Sequence, residues 1–169
     1  SGSATPLPLL SKPLRLFLVR SYSAEDRWSS QIRIGLMESL AVSGYESVNK
    51  TLEIRDFALD VHTLTTPELL AAKVQQAIEE IQAFDPDVVV VLDDEAAQAV
   101  ILQYPEPNQF FVFCGLNGAV LDYSLNRPNV TGVLERTYPV ETVKLAGSFV
   151  KRIDRVLLLS DASLSGQAS

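Results

Sequence analysis

Five consecutive apolar residues, Val88-Val89-Val90-Val91-Leu92, stand between Asp87 and Asp93. Side chains of a strand point alternately to its two faces, so an apolar run with no polar partner on either face needs cover on both sides. The central strand of a parallel sheet layered between helices meets that condition. The run therefore predicts an α/β protein built around this strand.

The flanking segments agree. Leu14 to Val19 is a short apolar run that follows Pro13 and ends in polar Ser21-Tyr22-Ser23, which predicts a first strand entering a loop. Trp28, Ile32, Leu36 and Leu40 recur every four residues from Asp26 onward, a one-sided helix that Gly44 stops. Alternation over Leu52 to Phe57 predicts a second strand. At Thr66-Pro67 a capping hydroxyl precedes a proline that loses no hydrogen bond in a first turn. The helix it opens carries Leu70, Val74, Ala77, Ile78 and Ile81 on one side and stops before Pro86. The cycle repeats with a short helix near Ala96 to Gln103 and strands at Phe110 to Phe113 and Val130 to Leu134. A last helix over Val140 to Ile153 and a closing strand over Arg155 to Leu159 complete the pattern. Regular alternation of strands and helices predicts a doubly wound parallel sheet.

Composition narrows the function. Fourteen Lys+Arg against 21 Asp+Glu give a formal charge of −7 without a basic cluster, which argues against a phosphate-tracking groove and so against nucleic acid. No apolar stretch approaches the roughly 20 residues that span a bilayer, so direct membrane insertion is not expected. Cys114 is the single cysteine, so the chain has no internal disulfide. Residues 1–12, beginning Ser1-Gly2-Ser3-Ala4, read as a cloning scar and linker, and the length of the chain fits one globular domain. The apolar run Leu157-Leu158-Leu159 and the helix-like opening from Ser163 to Ser169 suggest a fragment.

In an open parallel sheet, ligands bind beyond the carboxyl ends of the strands, where loops and helix N-termini converge. Those ends carry Ser21-Tyr22-Ser23, Asp93-Asp94-Glu95, Cys114-Gly115-Leu116-Asn117-Gly118, Glu135-Arg136-Thr137 and Ser160-Asp161-Ala162-Ser163. Tyr22 and Trp28 offer aromatic walls, although Trp28 also begins a core stripe. Asp93 and Asp94 can receive a ligand amine or cap the helix that follows. Asn117 and Gly118 suit a turn from which the Asn117 amide reaches a ligand.

Taken in order, Ser21-Tyr22 with Trp28, Pro86-Asp87-Val88-Val89-Val90, Asp93-Asp94, Phe113 to Gly118, Pro128 to Glu135 and Ser160-Asp161 with Ser165-Gly166 resemble a known family. It is the type I periplasmic binding fold, in the branch of ABC transporter substrate-binding proteins that also supplies extracytoplasmic sensor domains. The resemblance covers nearly the whole chain and implies a first lobe over 13–136, with the beginning of a second lobe over 137–169. It implies a non-enzymatic domain, without cofactor or metal, that takes a small molecule such as an amino acid between lobes outside the cytoplasm. Its partners would be a membrane permease or a fused signalling module, and the uncovered second-lobe helix implies a homodimer. The ligand-binding residues so implied are Ser21, Tyr22, Trp28, Asp93, Asp94, Cys114, Gly115, Asn117, Glu135, Asp161 and Ser163. Ser23 and Glu95 stand where the family often has histidine and a neutral residue, which leaves the ligand open.

Enzyme readings of the same sheet compete. A receiver-type phosphate site needs an acidic pair after the first strand and a lysine after the last, and neither is present. A flavodoxin-like enzyme would use the Asp93/Asp94 pair or Cys114, for which His62 is the single imidazole available as base. His62 lies beyond the second strand, with no sequence reason to meet Cys114.

Overall fold

The structure, a computed structural model, describes residues 12–136, 138–150, 152–157 and 159. Five strands form one parallel sheet: β1 (Leu14–Arg20), β2 (Leu52–Ala58), β3 (Val88–Leu92), β4 (Phe110–Leu116) and β5 (Val130–Leu134). Their spatial order is β2-β1-β3-β4-β5. The chain thus steps one way from β1 to β2 and then passes to the other side of β1 to form β3. This places the topological switch point between β1 and β3.

Helix α1 (Arg27–Val42) begins where the Asp26 carboxylate accepts a hydrogen bond from the Ser29 amide at 2.7 Å, and it ends just before Gly44, whose φ is +87°. Helix α2 (Pro67–Phe84) starts under the Thr66 hydroxyl, which accepts from the Leu69 amide at 3.3 Å. It stops at Asp85, left-handed at φ +50°, immediately ahead of Pro86. The third helix, α3 (Asp93–Ala96), begins directly at the end of β3 and continues as a π-helical turn over Ala97–Ile101.

Alternation along the strands feeds two cores. Phe17, Val19, Val89, Val91, Phe111 and Phe113 turn to one face and pack with Val74, Ile78 and Ile81 of α2. On the opposite face, Leu16, Leu18, Val90 and Leu92 meet Trp28, Ile32, Leu36 and Leu40 of α1. The β3 run is therefore covered on both faces, as its composition requires. Burial of a side chain such as Leu18 or Val89 contributes about 1.5–3 kcal/mol, so this strand anchors both layers.

The far end departs from expectation. Helix α4 (Pro139–Phe149) starts one residue earlier and ends four residues sooner than the sequence pattern predicts, and the expected closing strand is not formed over its described residues 155–157 and 159. A strand needs a neighbour for its amides and carbonyls, and among the described residues the sheet ends at β5. Val140, Leu145 and Phe149 of α4 are correspondingly exposed, and so are Val156, Leu157 and Leu159. Among the described residues, no helix is long and apolar enough to cross a membrane.

Candidate functional site

Because all five strands are parallel, their carboxyl ends share one edge of the sheet, and the loops beyond them form a common rim. Tyr22 follows β1 and His62 lies in a short 3-10 turn, Val61–Thr63, after β2. Their rings stack with centroids 4.6 Å apart and planes 6° from parallel. The Tyr22 hydroxyl lies 3.5 Å from a Glu95 carboxylate oxygen. Tyr22 is half-buried and His62 exposed, so the pair stands at the rim.

Ser21, by contrast, points inward. Its hydroxyl donates to the Leu92 carbonyl and accepts from the Ala96 amide, both at 2.8 Å, and the residue is 1 % exposed. It stitches the end of β1 to the end of β3 and the first turn of α3, a positioning role.

The acidic pair divides its work. Asp93 adopts φ +75°, and its carboxylate accepts from the Asp94 amide at 2.8 Å. Asp94 is fully buried. One carboxylate oxygen accepts from the Asn117 amide and the Asn117 side chain, and the other from the Gly118 amide, each at 3.1 Å. Burial pushes its carboxyl up, but the Gly118 and Asn117 amides, with the Tyr123 hydroxyl and the Asn117 side chain, outweigh it and hold it below the usual range. Asp94 therefore clasps the loop after β4, where the sequence suggested a cap on α3 or a ligand contact. Burial and the Asp94 charge push the Tyr123 hydroxyl up, so it stays protonated and donates.

Gly118 and Gly115 make this packing possible. A Cβ on Gly118 would lie 2.2 Å from the Tyr123 ring. One on Gly115, at φ +76°, would lie 2.2 Å from the Trp28 ring. Trp28 and Gly115 thus meet each other beneath the rim, with the indole in the α1-side core. At the last strand end, the Glu135 amide donates to the Leu116 carbonyl at 2.8 Å, and the Arg136 guanidinium donates to the Asn117 carbonyl at 3.1 Å. Glu135 and Arg136 are both exposed at this end of the rim, while Asp93 and Asp94 are buried.

Cys114 packs against the α1-side core, and burial pushes its thiol up. A nucleophilic cysteine needs the opposite shift, and His62 is stacked on Tyr22. Iodoacetamide at neutral pH is accordingly expected to label Cys114 no faster than free cysteine; labelling many times faster would restore the enzyme reading. Among the described residues no cluster of His, Cys, Asp and Glu has the arrangement of a metal site. Asp161 and Ser163 lie outside the described residues.

The structure brings Tyr22 to Glu95, and Asp94 to Asn117 and Gly118, on one rim. It places Ser21, Trp28, Gly115 and Cys114 beneath that rim. Sequence reasoning missed His62 as a rim group and Tyr123 as a support. Treating the end of β2 like the other strand ends would have found His62.

No protein-family model matches the chain, and no curated protein matches it significantly. Solved structures do. A conserved domain protein from Vibrio cholerae superposes with a TM-score of 0.64 at 20% identity, over 83% of this chain and 45% of that one. A ligand-free, open substrate-binding protein with adhesive properties from Clostridium difficile gives 0.64 at 12% identity, over 80% and 43%. An ABC domain in complex with L-Trp from Streptococcus pneumoniae gives 0.63 at 18% identity, again over 80% and 43%. The chain thus spans less than half the length of each. The five-stranded parallel sheet with its flanking helices is the α/β fold that this chain shares with these three structures.

Proposed function

We propose that the chain is the first lobe of a two-lobed solute-binding domain, whose rim forms half of a jaw closing on a small molecule, an amino acid above all. In this reading the second lobe begins at about residue 137, the domain works outside the cytoplasm, and the protein is a receptor with no chemistry of its own. Ligand binding would shift an open/closed equilibrium read by a membrane permease or a fused signalling module. The observation that carries the reading is the convergence of all five strand ends on one rim, with the Asp94 clasp holding the loop after β4 in place. Support also comes from the likeness to a protein solved with L-Trp. The exposed apolar face of α4 would be covered by the second lobe or, in its absence, by a second copy.

A thermal-shift screen of amino acids and small metabolites tests this. A ligand at 100 times its Kd stabilises by about 2.7 kcal/mol, but one lobe holds only half of the contacts, so small shifts at millimolar ligand are expected. Tyr22→Ala and Glu135→Ala should abolish them, while exposed Gln75→Ala on α2 should not. No shift with any solute, or shifts unchanged in both rim variants, would overturn the reading.

A further inference from the structure

The opposite edge of the sheet, at the amino ends of β4 and β5, holds a half-open cleft of about 370 Å³. Its floor is aromatic: Tyr104 and Phe111 meet edge to face with centroids 5.3 Å apart and planes at 75°. Pro105, Pro107 and Pro128 form rigid walls, and Arg127 stands at the mouth. Among the described residues the Arg127 guanidinium makes one hydrogen bond, to the Ile101 carbonyl at 3.3 Å. A guanidinium carries five N–H donors in a planar fork, and Arg127 is exposed, so most of its donors are left for a further acceptor. Glu106 also lines the mouth, where it accepts from the Gln82 side chain at 3.1 Å.

We propose that this cleft is a second ligand site, for a small planar aromatic monocarboxylate. The flat ring would lie among the proline rings over Tyr104, and the carboxylate would take the Arg127 fork in the paired geometry that guanidinium and carboxylate share. The volume sits at the low end of the roughly 300–1,000 Å³ of ligand pockets, so a single ring fits better than a peptide. Glu106 beside the mouth repels a second negative charge, which restricts the ligand to one carboxylate. The Tyr104 hydroxyl is held protonated, its pKa pushed up to about 12 by burial and then by Glu106 and Asp85, and can donate to the bound molecule. The site lies on the edge opposite the rim and does not depend on the proposed receptor function.

Benzoate, with neutral benzamide as control, is the probe. In amide nuclear magnetic resonance spectra of the whole chain, benzoate is expected to give saturable shifts at Tyr104, Arg127 and Asn129. Exposed Arg127→Gln should weaken binding about tenfold, the loss of one charged contact of about 1.4 kcal/mol, and benzamide should bind at least that much more weakly than benzoate. Shifts that do not saturate, equal responses to benzamide, an unchanged affinity in Arg127→Gln, or shifts confined to the loops around Tyr22 and Asn117 would each overturn the site.

Discussion

Asp94→Ala is expected to destabilise the protein by about 3 kcal/mol, because each buried donor left without an acceptor costs about 1–3 kcal/mol. Asp94 itself has no exposure, and the variant strips acceptors from the half-buried Asn117 and Gly118 amides and the Asn117 side chain. In a domain of this size that loss lowers Tm by about 6–12 °C. Asp94→Asn keeps one acceptor oxygen and should lose about half as much. The sign with pH follows from the depressed carboxyl: its stabilisation is fully present above the ordinary aspartate range and disappears as pH falls through the lower folded-state value. Wild type should therefore lose more stability on acidification below about pH 4 than Asp94→Asn. Chemical denaturation of the three proteins across that range checks both statements. A Tm for Asp94→Ala within experimental error of wild type would mean that the loop after β4 is held by other contacts.

The second large effect lies under α1. The Arg20 side chain, 8 % exposed, donates to Asp56 at 2.8 Å and to the Ala24 carbonyl at 3.1 Å. Arg33 approaches the same carboxylate with its Nε at 2.9 Å and a terminal nitrogen at 3.0 Å. One aspartate thus bridges two guanidinium groups and ties the end of β1 to β2 and to α1. Asp56→Ala leaves Arg20 buried and unpaired, for which about 3 kcal/mol is the expected cost. Removing both charges should do less harm than removing one, so Arg20→Met combined with Asp56→Ala is expected to recover most of the loss. Burial raises the Asp56 carboxyl, but the bonds from Arg33 and Arg20 hold it below the usual range. Its contribution is thus complete above the ordinary aspartate value and is lost as pH falls through the folded one. Equilibrium unfolding in urea measures each variant; a double variant as unstable as Asp56→Ala would show that the loss comes from packing and not from the stranded charge.

Where the sequence carries periodicity, the fold was legible. Val88 to Leu92 announces a central strand because its composition admits no solvent-facing side, and Thr66-Pro67 marks the first turn of α2 through the hydrogen bonds that those residues supply and omit. Periodicity failed at the end of the chain. Residues 155–159 read as a strand by composition, but pairing is a property of the neighbour as much as of the segment, and among the described residues β5 is the last strand of the sheet.

The site was legible only as positions. Counting strand ends found Tyr22, Asp94, Asn117 and Glu135, but residue type does not reveal direction. Ser21 and Asp94 have the chemistry of ligand contacts and direct it inward, to the Ala96 amide and to the loop of Asn117. Gly115 stands among the ligand contacts that the resemblance implies, and the Trp28 ring packs where a Cβ on it would lie. The Tyr22 and His62 stack joins residues forty positions apart in the chain, a proximity set by the side-by-side pairing of β1 and β2.

The receptor reading meets its sharpest test in a map of where an amino acid touches the chain. With the whole chain isotopically labelled and titrated with those amino-acid hits of the thermal screen that carry no aromatic ring, the account predicts shifts clustered at Tyr22, His62, Glu95, Asn117 and Glu135. The amino edge around Asp87 and Gln109 should stay silent. Saturable shifts confined to that amino edge, with the five rim residues unmoved, would contradict it.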